Sequence, residues 1–252
     1  MAPDDAEPDE DDAGDAGDDG SLEDLLELVA GALSTGQPLD VLGLASATLA
    51  IVLHPRPPVD LAREVVRERV LEDLVVRYVG LATPEALVYA TAVAGLVADD
   101  TLRRRLRAAL DGADADVPTW LARLDEAHLE QTTVVRDLFD DDEWLLGGVR
   151  LADGSRFAFR VEVDHNADGA LGDAMLMPST VDEITHRLRA TSPADEVAIV
   201  ELTPTDFWAR YTEAAALADH AEEPPRTDTW PSCRPLVEWA LHRAPGDRRT
   251  AG

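Results

Sequence analysis

Apolar residues recur at helical spacing through the first half of this chain and at every second position through part of the second half. The helical half begins at Ser21, where Ser21 and Asp24 form a capping-box pattern ahead of Leu25, Leu26 and Val29. Pro38 opens a helix that runs to about Leu53, where the prolines of His54–Pro58 stop it. Asp60 caps the next, to about Val79, with Val66, Val70, Leu74 and Leu71, Val75, Val79 as a wide buried face. Thr83, Pro84 and Glu85 supply a cap, a first-turn proline and a first-turn acid for a helix to about Ala98. Leu102, Leu106, Ala109 and Leu110 predict a helix over 100–110, and a short one near Thr119–Leu124 closes this half.

The period then falls to two. Val134 and Val135 sit in a first strand, and Leu145–Leu151 makes a second. Asp153-Gly154 predicts a two-residue hairpin turn with positive φ at both positions. In the third strand, Arg156–Val163, Phe157, Phe159, Val161 and Val163 face one way, while Ala158, Arg160 and Glu162 face the other. Ala174–Met177 is a fourth strand and Glu196–Leu202 a fifth. Thr180 with Glu183 caps a helix to about Arg189, and Thr203-Pro204-Thr205-Asp206 opens another to about Asp219. These two helices are expected to cover the Phe159 face together, through Ile184, Leu188, Phe207 and Tyr211. After a loop with Pro224 and Pro225, a last helix runs from about Arg234 to Arg243, with Ser232 as its cap.

Helices first and hairpin strands later indicate an α+β fold: an N-terminal helical half packed on a C-terminal half with an antiparallel sheet and covering helices. The expected divisions are a disordered acidic tail over 1–20, a helical region over 21–126, an α+β region over 127–245 and a disordered tail over 246–252.

Charge narrows the partners. The 252 residues carry 51 acids against 22 basic residues, a net −29, and all the basic residues are arginine. A body this negative repels nucleic-acid phosphates and anionic membranes, which leaves protein as the expected partner. Without lysine there is no Schiff base, no cofactor-anchoring lysine and no Walker A loop. Cys233 is alone, so no intrachain disulfide forms, and the acidic N-terminus lacks a signal pattern; both suit the cytoplasm. Leu39–Leu53 contains Asp40 and is short for a membrane span.

Several segments resemble a group of uncharacterised actinobacterial proteins. They are PLDVLGLASATLAIVLHPR at 38–56, TPEALVYATAVAGLVADDTLRRRLR at 83–107, VPTWLARL at 117–124, WLLGGVRLADGSRFAFRVEVDHN at 144–166 and TDTWPSCRPLVEWALHR at 227–243. The VDHN and WPSCRPLVEW stretches are the most specific. The resemblance implies a shared fold over about residues 21–245 and a bacterial source, and brings no activity with it.

The sharpest chemical motif is Asp164-His165-Asn166-Ala167-Asp168-Gly169, whose oxygens at Asp164, Asn166 and Asp168 match the first half of a calcium loop. The bidentate acid that calcium needs at the twelfth position is replaced by Met175, with Asp173 two places earlier. A polar loop joining two strands explains the segment better than calcium does. Asp164, His165 and Asp173 are also a candidate metal or acid–base cluster, and Asp164, His165 and Asn166 a candidate polar loop. In Trp230-Pro231-Ser232-Cys233-Arg234-Pro235, Arg234 beside Cys233 suggests an activated thiol, although a helix cap and a packed Trp230 account for the same residues. His54, His128, His186, His220 and His242 lack zinc-helix spacing and read as structural or surface residues. Arg103, Arg104, Arg105 and Arg107 surround an apolar row and are expected to pair with nearby acids; the alternative is a docking site for an acidic partner. The expected function is a non-catalytic cytoplasmic protein-interaction module without a cofactor. The alternative is a metal-dependent enzyme or hydrolase using the loop at 164–173.

Overall fold

The structure, a computed structural model, describes residues 16–53, 64–113, 116–137, 142–192, 196–221, 227 and 229–243. The expected turn at 54–60, the loop at Pro224 and Pro225, and the tails over 1–15 and 244–252 lie outside the described residues. The fold is α+β. A helical layer of α1 (Ala16–Ser34), α2 (Pro38–Leu53), α3 (Glu64–Leu81), α4 (Pro84–Leu96), α5 (Asp100–Leu110) and α6 (Thr119–Ala122) comes first. Then follow β1 (His128–Asp137), β2 (Asp142–Arg150), β3 (Arg156–Asp164), β4 (Ala170–Met177), α7 (Val181–Thr191), β5 (Val197–Glu201), α8 (Pro204–His220) and α9 (Thr229–Leu241). Among the described residues no helix is long and apolar enough to cross a membrane.

Helix α4 is the hub of the helical layer. Its sequence is apolar on every side, and Ala86 through Ala90 and Ala92 through Leu96 are all buried. It starts where its cap predicts: Thr83 Oγ1 accepts from the Ala86 N–H at 3.3 Å. Thr180 and Glu183 cap α7 reciprocally, and Thr203 Oγ1 accepts from the Asp206 N–H at the start of α8. Helix α1 departs from expectation, since Ala16–Gly20 are already helical and Ser21 lies inside the helix instead of capping it. Once the turns over Leu22–Val29 pack, each further residue costs little to add. Helix α3 also buries a narrower face than expected. Leu71 and Val75 are buried, but Val66 and Val70 are exposed, because Tyr78 and not the first turns fills the contact with Tyr89 of α4.

The strands form one antiparallel sheet of order β4-β3-β2-β1-β5. A row of cross-strand neighbours, Val134, Leu145, Val161 and Ala174, is buried across its middle. Together with Phe157, Phe159 and Val163 it belongs to a single apolar cluster that runs from Val29 in α1 to Leu241 in α9, so the helical layer and this face of the sheet bury one another. The hairpin between β2 and β3 is not the expected two-residue turn. Leu151 N–H donates to the Ser155 carbonyl, and Gly154 N–H to the Leu151 carbonyl, leaving a three-residue loop. Gly154 alone has positive φ, and Asp153 Oδ1 instead accepts from the Ser155 N–H at 2.9 Å.

The two covering helices take opposite faces. Helix α8 lies on the Phe159 face as expected, with the rings of Phe207 and Phe159 edge to face at 6.0 Å. Helix α7 lies on the other face, where Val181 joins Val135, Leu146 and Ala158, with Ile184 and Leu188 against them. Ala158 and Gly148 are small and flat, and that half-hidden apolar strip accommodates a helix between the polar neighbours Arg160 and Gln131.

Helix α9 starts at Thr229, five residues before the expected Arg234, so Ser232 is inside it and Pro235 interrupts it. Proline removes a backbone donor from the helical ladder. The buried Ser46 hydroxyl of α2 enters the ladder there, donating to the Ser232 carbonyl at 2.6 Å and accepting from the Leu236 N–H at 3.1 Å. Ser46→Ala leaves both groups without that partner and is expected to cost about 1–3 kcal/mol, read as a lower urea midpoint at unchanged m-value. Ser46→Thr keeps the hydroxyl, but its extra methyl group must fit between two packed helices.

Candidate functional site

The loop at 164–173 is organised by its own backbone. Asp164 ends β3, and its Oδ1 accepts from the Asn166 and Ala167 N–H groups at 2.8 and 3.3 Å. That bond pattern caps a single 3-10 turn over His165–Ala167, after which Asp168 and Gly169 take left-handed backbone and return the chain to β4. His165, Asn166 and Asp168 are exposed on this turn. A cavity of about 300 Å³ separates Asp164 and Asp168 from Leu217 and His220 at the end of α8.

Asp173 is turned to a different task. Leu171 pairs with Val163 and Ala174 with Val161, so Gly172 and Asp173 both lie opposite Glu162 in a β-bulge. Asp173 Oδ1 accepts from the Thr227 and Thr229 hydroxyls and from the Ala174 N–H, and so ties β4 to the start of α9. Burial alone raises its pKa, but the bonds from Thr229, Thr227 and Ala174 and the charge of Arg160 bring it below the ordinary carboxylate value. Its carboxylate also stands where a helix N-terminus favours negative charge. Among the described residues no group of three or more His, Cys, Asp and Glu side chains is placed to hold a metal ion.

The Trp230–Pro235 motif is likewise taken up by packing. Cys233 is buried, its thiol donates to the Ala174 carbonyl at 3.6 Å, and burial with the charge of Asp173 pushes its pKa up to about 11. Arg234 turns away from it, forming two bonds to Asp219 at 2.7 and 2.9 Å and one to Glu238 at 2.8 Å, with its guanidinium over Trp230. A buried, protonated thiol is a poor nucleophile. Native protein is therefore expected to resist iodoacetamide at pH 8 and to take up one equivalent in urea; stoichiometric labelling of the native fold would contradict this geometry.

The arginine cluster on α5 pairs internally. Arg103 meets Asp100, Arg105 meets Glu68 and Glu72, Arg107 meets Asp125, and Arg104 bonds to the Asp100 carbonyl at 3.2 Å. His128, His220 and His242 each place Nδ1 within bonding distance of a backbone carbonyl, and His242 also packs edge-on against Trp208. His186 is exposed on α7, and His54 lies outside the described residues.

One charged group that the pattern of the sequence did not mark is Glu143 of β2. It is buried between Arg136 of β1 and Arg210 of α8, at 2.5 and 2.8 Å, and clamps α8 to the end of the sheet. Burial raises its pKa, but the bonds from Arg136 and Arg210 outweigh this and leave it below the usual 4.5. A depressed carboxylate contributes stability above its unfolded pKa and loses it as pH falls through the folded one. Glu143→Gln is expected to lower the melting temperature at pH 7, and the gap to the unsubstituted chain should close below about pH 4. A gap that stays constant down to pH 3 would show that the clamp is not ionic.

Two further surfaces are open. A cleft of about 690 Å³ runs past Thr132, Thr180 and Leu202, where Arg156 pairs with Glu130 at 2.7 Å and Gln131 bonds to Asp182 at 3.1 Å. A furrow of about 750 Å³ runs between α1 and α2. Its floor is Leu28, Gly31, Ala32 and Leu44, and Leu28 is 58% exposed although its neighbours Leu25, Leu26 and Val29 pack inward. Asp24, Glu27 and Asp40 stand along its rim, and among the described residues no arginine lines it. Gly31 lies on open space within it: a Cβ built there meets nothing within 4 Å. The sequence signal for it was a glycine inside an otherwise regular helical pattern.

Comparison with protein-family models, with curated proteins and with solved structures finds no match to this chain.

Proposed function

We propose that this chain is a non-catalytic, cytoplasmic protein-interaction module of bacterial origin, related to the actinobacterial group its motifs resemble. The observation that carries the reading is the furrow between α1 and α2, where Leu28, 58% exposed, stands with Ala32 and Leu44 in an open channel between two helices. Gly31 strengthens it. A glycine within a helix costs roughly 0.5–1 kcal/mol relative to alanine, and nothing inside the fold approaches its Cα closely enough to require it. The residues with the most chemical promise support the same reading from the other side: Asp164, Asp173, Cys233 and Arg234 are each engaged in bonds that hold turns and helices in place.

The test is affinity capture from a lysate of the source bacterium with three immobilised chains: unsubstituted, Gly31→Trp and Asp164→Asn. Tryptophan at position 31 fills the furrow, while Asp164→Asn alters the loop at 164–173. The expected result is a protein held by the unsubstituted and Asp164→Asn chains and lost from Gly31→Trp. Capture that ignores Gly31→Trp, or that fails at every salt concentration, overturns the reading.

A further inference from the structure

We infer that the occupant of the α1–α2 furrow is a basic amphipathic helix of a partner protein, with an apolar stripe on the floor and Lys or Arg side chains against the rim. The inference rests on the interaction reading above and deepens it. The floor supplies the apolar half of the match. Leu28 projects from α1, Leu44 faces it from α2, and Ala32 and Gly31 keep the middle shallow enough for a second backbone to approach. From Asp24 to Thr35 the furrow follows α1 for about three turns, roughly 16 Å, which is long enough to take an apolar stripe at i, i+3, i+4 and i+7, itself about 10 Å long.

The rim selects the charge. Asp24, Glu27 and Asp40 are exposed, and Asp40 is positioned by the Thr35 hydroxyl, which donates to its Oδ2 at 2.7 Å. Among the described residues none of the three pairs with an arginine, in contrast to Glu68, Glu72 and Asp125 around α5, which do. A groove walled by one sign of charge raises the local concentration of ligands of the other sign and speeds their arrival. The same charge argues against two other occupants. The chain's own first fifteen residues are acidic and contain no base, and a second copy would bring another −29.

The experiment is a fluorescence-anisotropy titration of the full chain with a labelled peptide of about 18 residues, Leu at i, i+3, i+4 and i+7 and Lys elsewhere. A peptide of the same composition in scrambled order, and one with Glu in place of Lys, are the comparisons. The expected result is saturable binding of the patterned Lys peptide, weakened at least about tenfold between 50 and 500 mM salt. Gly31→Trp and Leu28→Gln should each weaken it about tenfold or more while leaving the melting temperature unchanged, since both positions are exposed. In the titration, four outcomes overturn the inference: equal binding of the scrambled peptide, which means diffuse attraction to a −29 chain; binding indifferent to Gly31→Trp; binding lost when residues 1–15 are deleted, which places it on the tail; and no binding at all. If peptide binding is absent but Gly31→Trp still abolishes capture from lysate, the partner's chemistry is wrong and the interaction reading stands. A dimer in sedimentation that dissociates on Gly31→Trp would put a second copy in the furrow and also overturn the inference.

Discussion

Phe159→Ala is expected to destabilise the fold by roughly 3–5 kcal/mol, the range for an aromatic ring removed from a packed core. Phe159 is fully buried at the centre of β3 and meets the ring of Phe207 edge to face. It therefore joins the sheet to α8, and its loss leaves a cavity between layers that cannot close without moving a strand. Arg160, the next residue, lies on the opposite face over the ring of Trp144 and is partly exposed. Its replacement by alanine is expected to change stability by about 0.5 kcal/mol or less. Urea unfolding of the two variants checks both values, and equal effects would mean that the strand's two faces are assigned the wrong way round.

Gly147→Val is the second large effect, expected at about 3 kcal/mol or more. Gly147 pairs with Phe159 across β2 and β3, and the Phe159 ring lies flat over it. A Cβ at position 147 would sit 2.2 Å from Cζ of that ring and 2.6 and 2.8 Å from its Cε atoms. The ring is enclosed and cannot swing to solvent, so the collision must be relieved by moving the strand or α8. The two positions should consequently be coupled. Adding Gly147→Val to Phe159→Leu should cost far less than adding it to the unsubstituted chain, and a double-mutant cycle with an interaction energy near zero would contradict the stacked arrangement.

These two residues also show what sequence pattern can and cannot reveal. Alternation along Arg156–Val163 placed the Phe159 face correctly because period two is local and its apolar members are large. The caps at Thr83, Thr180 and Thr203 were legible for the same reason, since each acts within three residues. The second face of the sheet was not legible. Its contacts with α7 use Ala158 and Leu146, too small or too isolated to form a stripe beside Arg160 and Glu162. Nor was the start of α9, because Ser232 reads as a cap with Pro235 in the first turn after it. The ladder that Pro235 interrupts is completed by Ser46, 186 residues from Ser232, and no local rule reports so distant a partner. For the site, the pattern found Asp164, Asp173 and Cys233 by chemical type. It could not show that a bulge turns Asp173 toward Thr227 and Thr229, or that Cys233 is buried against β4.

Amide hydrogen exchange on the chain, alone and with its captured partner bound, tests the account most directly. Exchange should slow over residues 22–44, which make up the walls of the furrow, and stay unchanged over 164–173. Protection centred on 164–173, with none over 22–44, would contradict it and return the function to the loop of Asp164, His165 and Asp173.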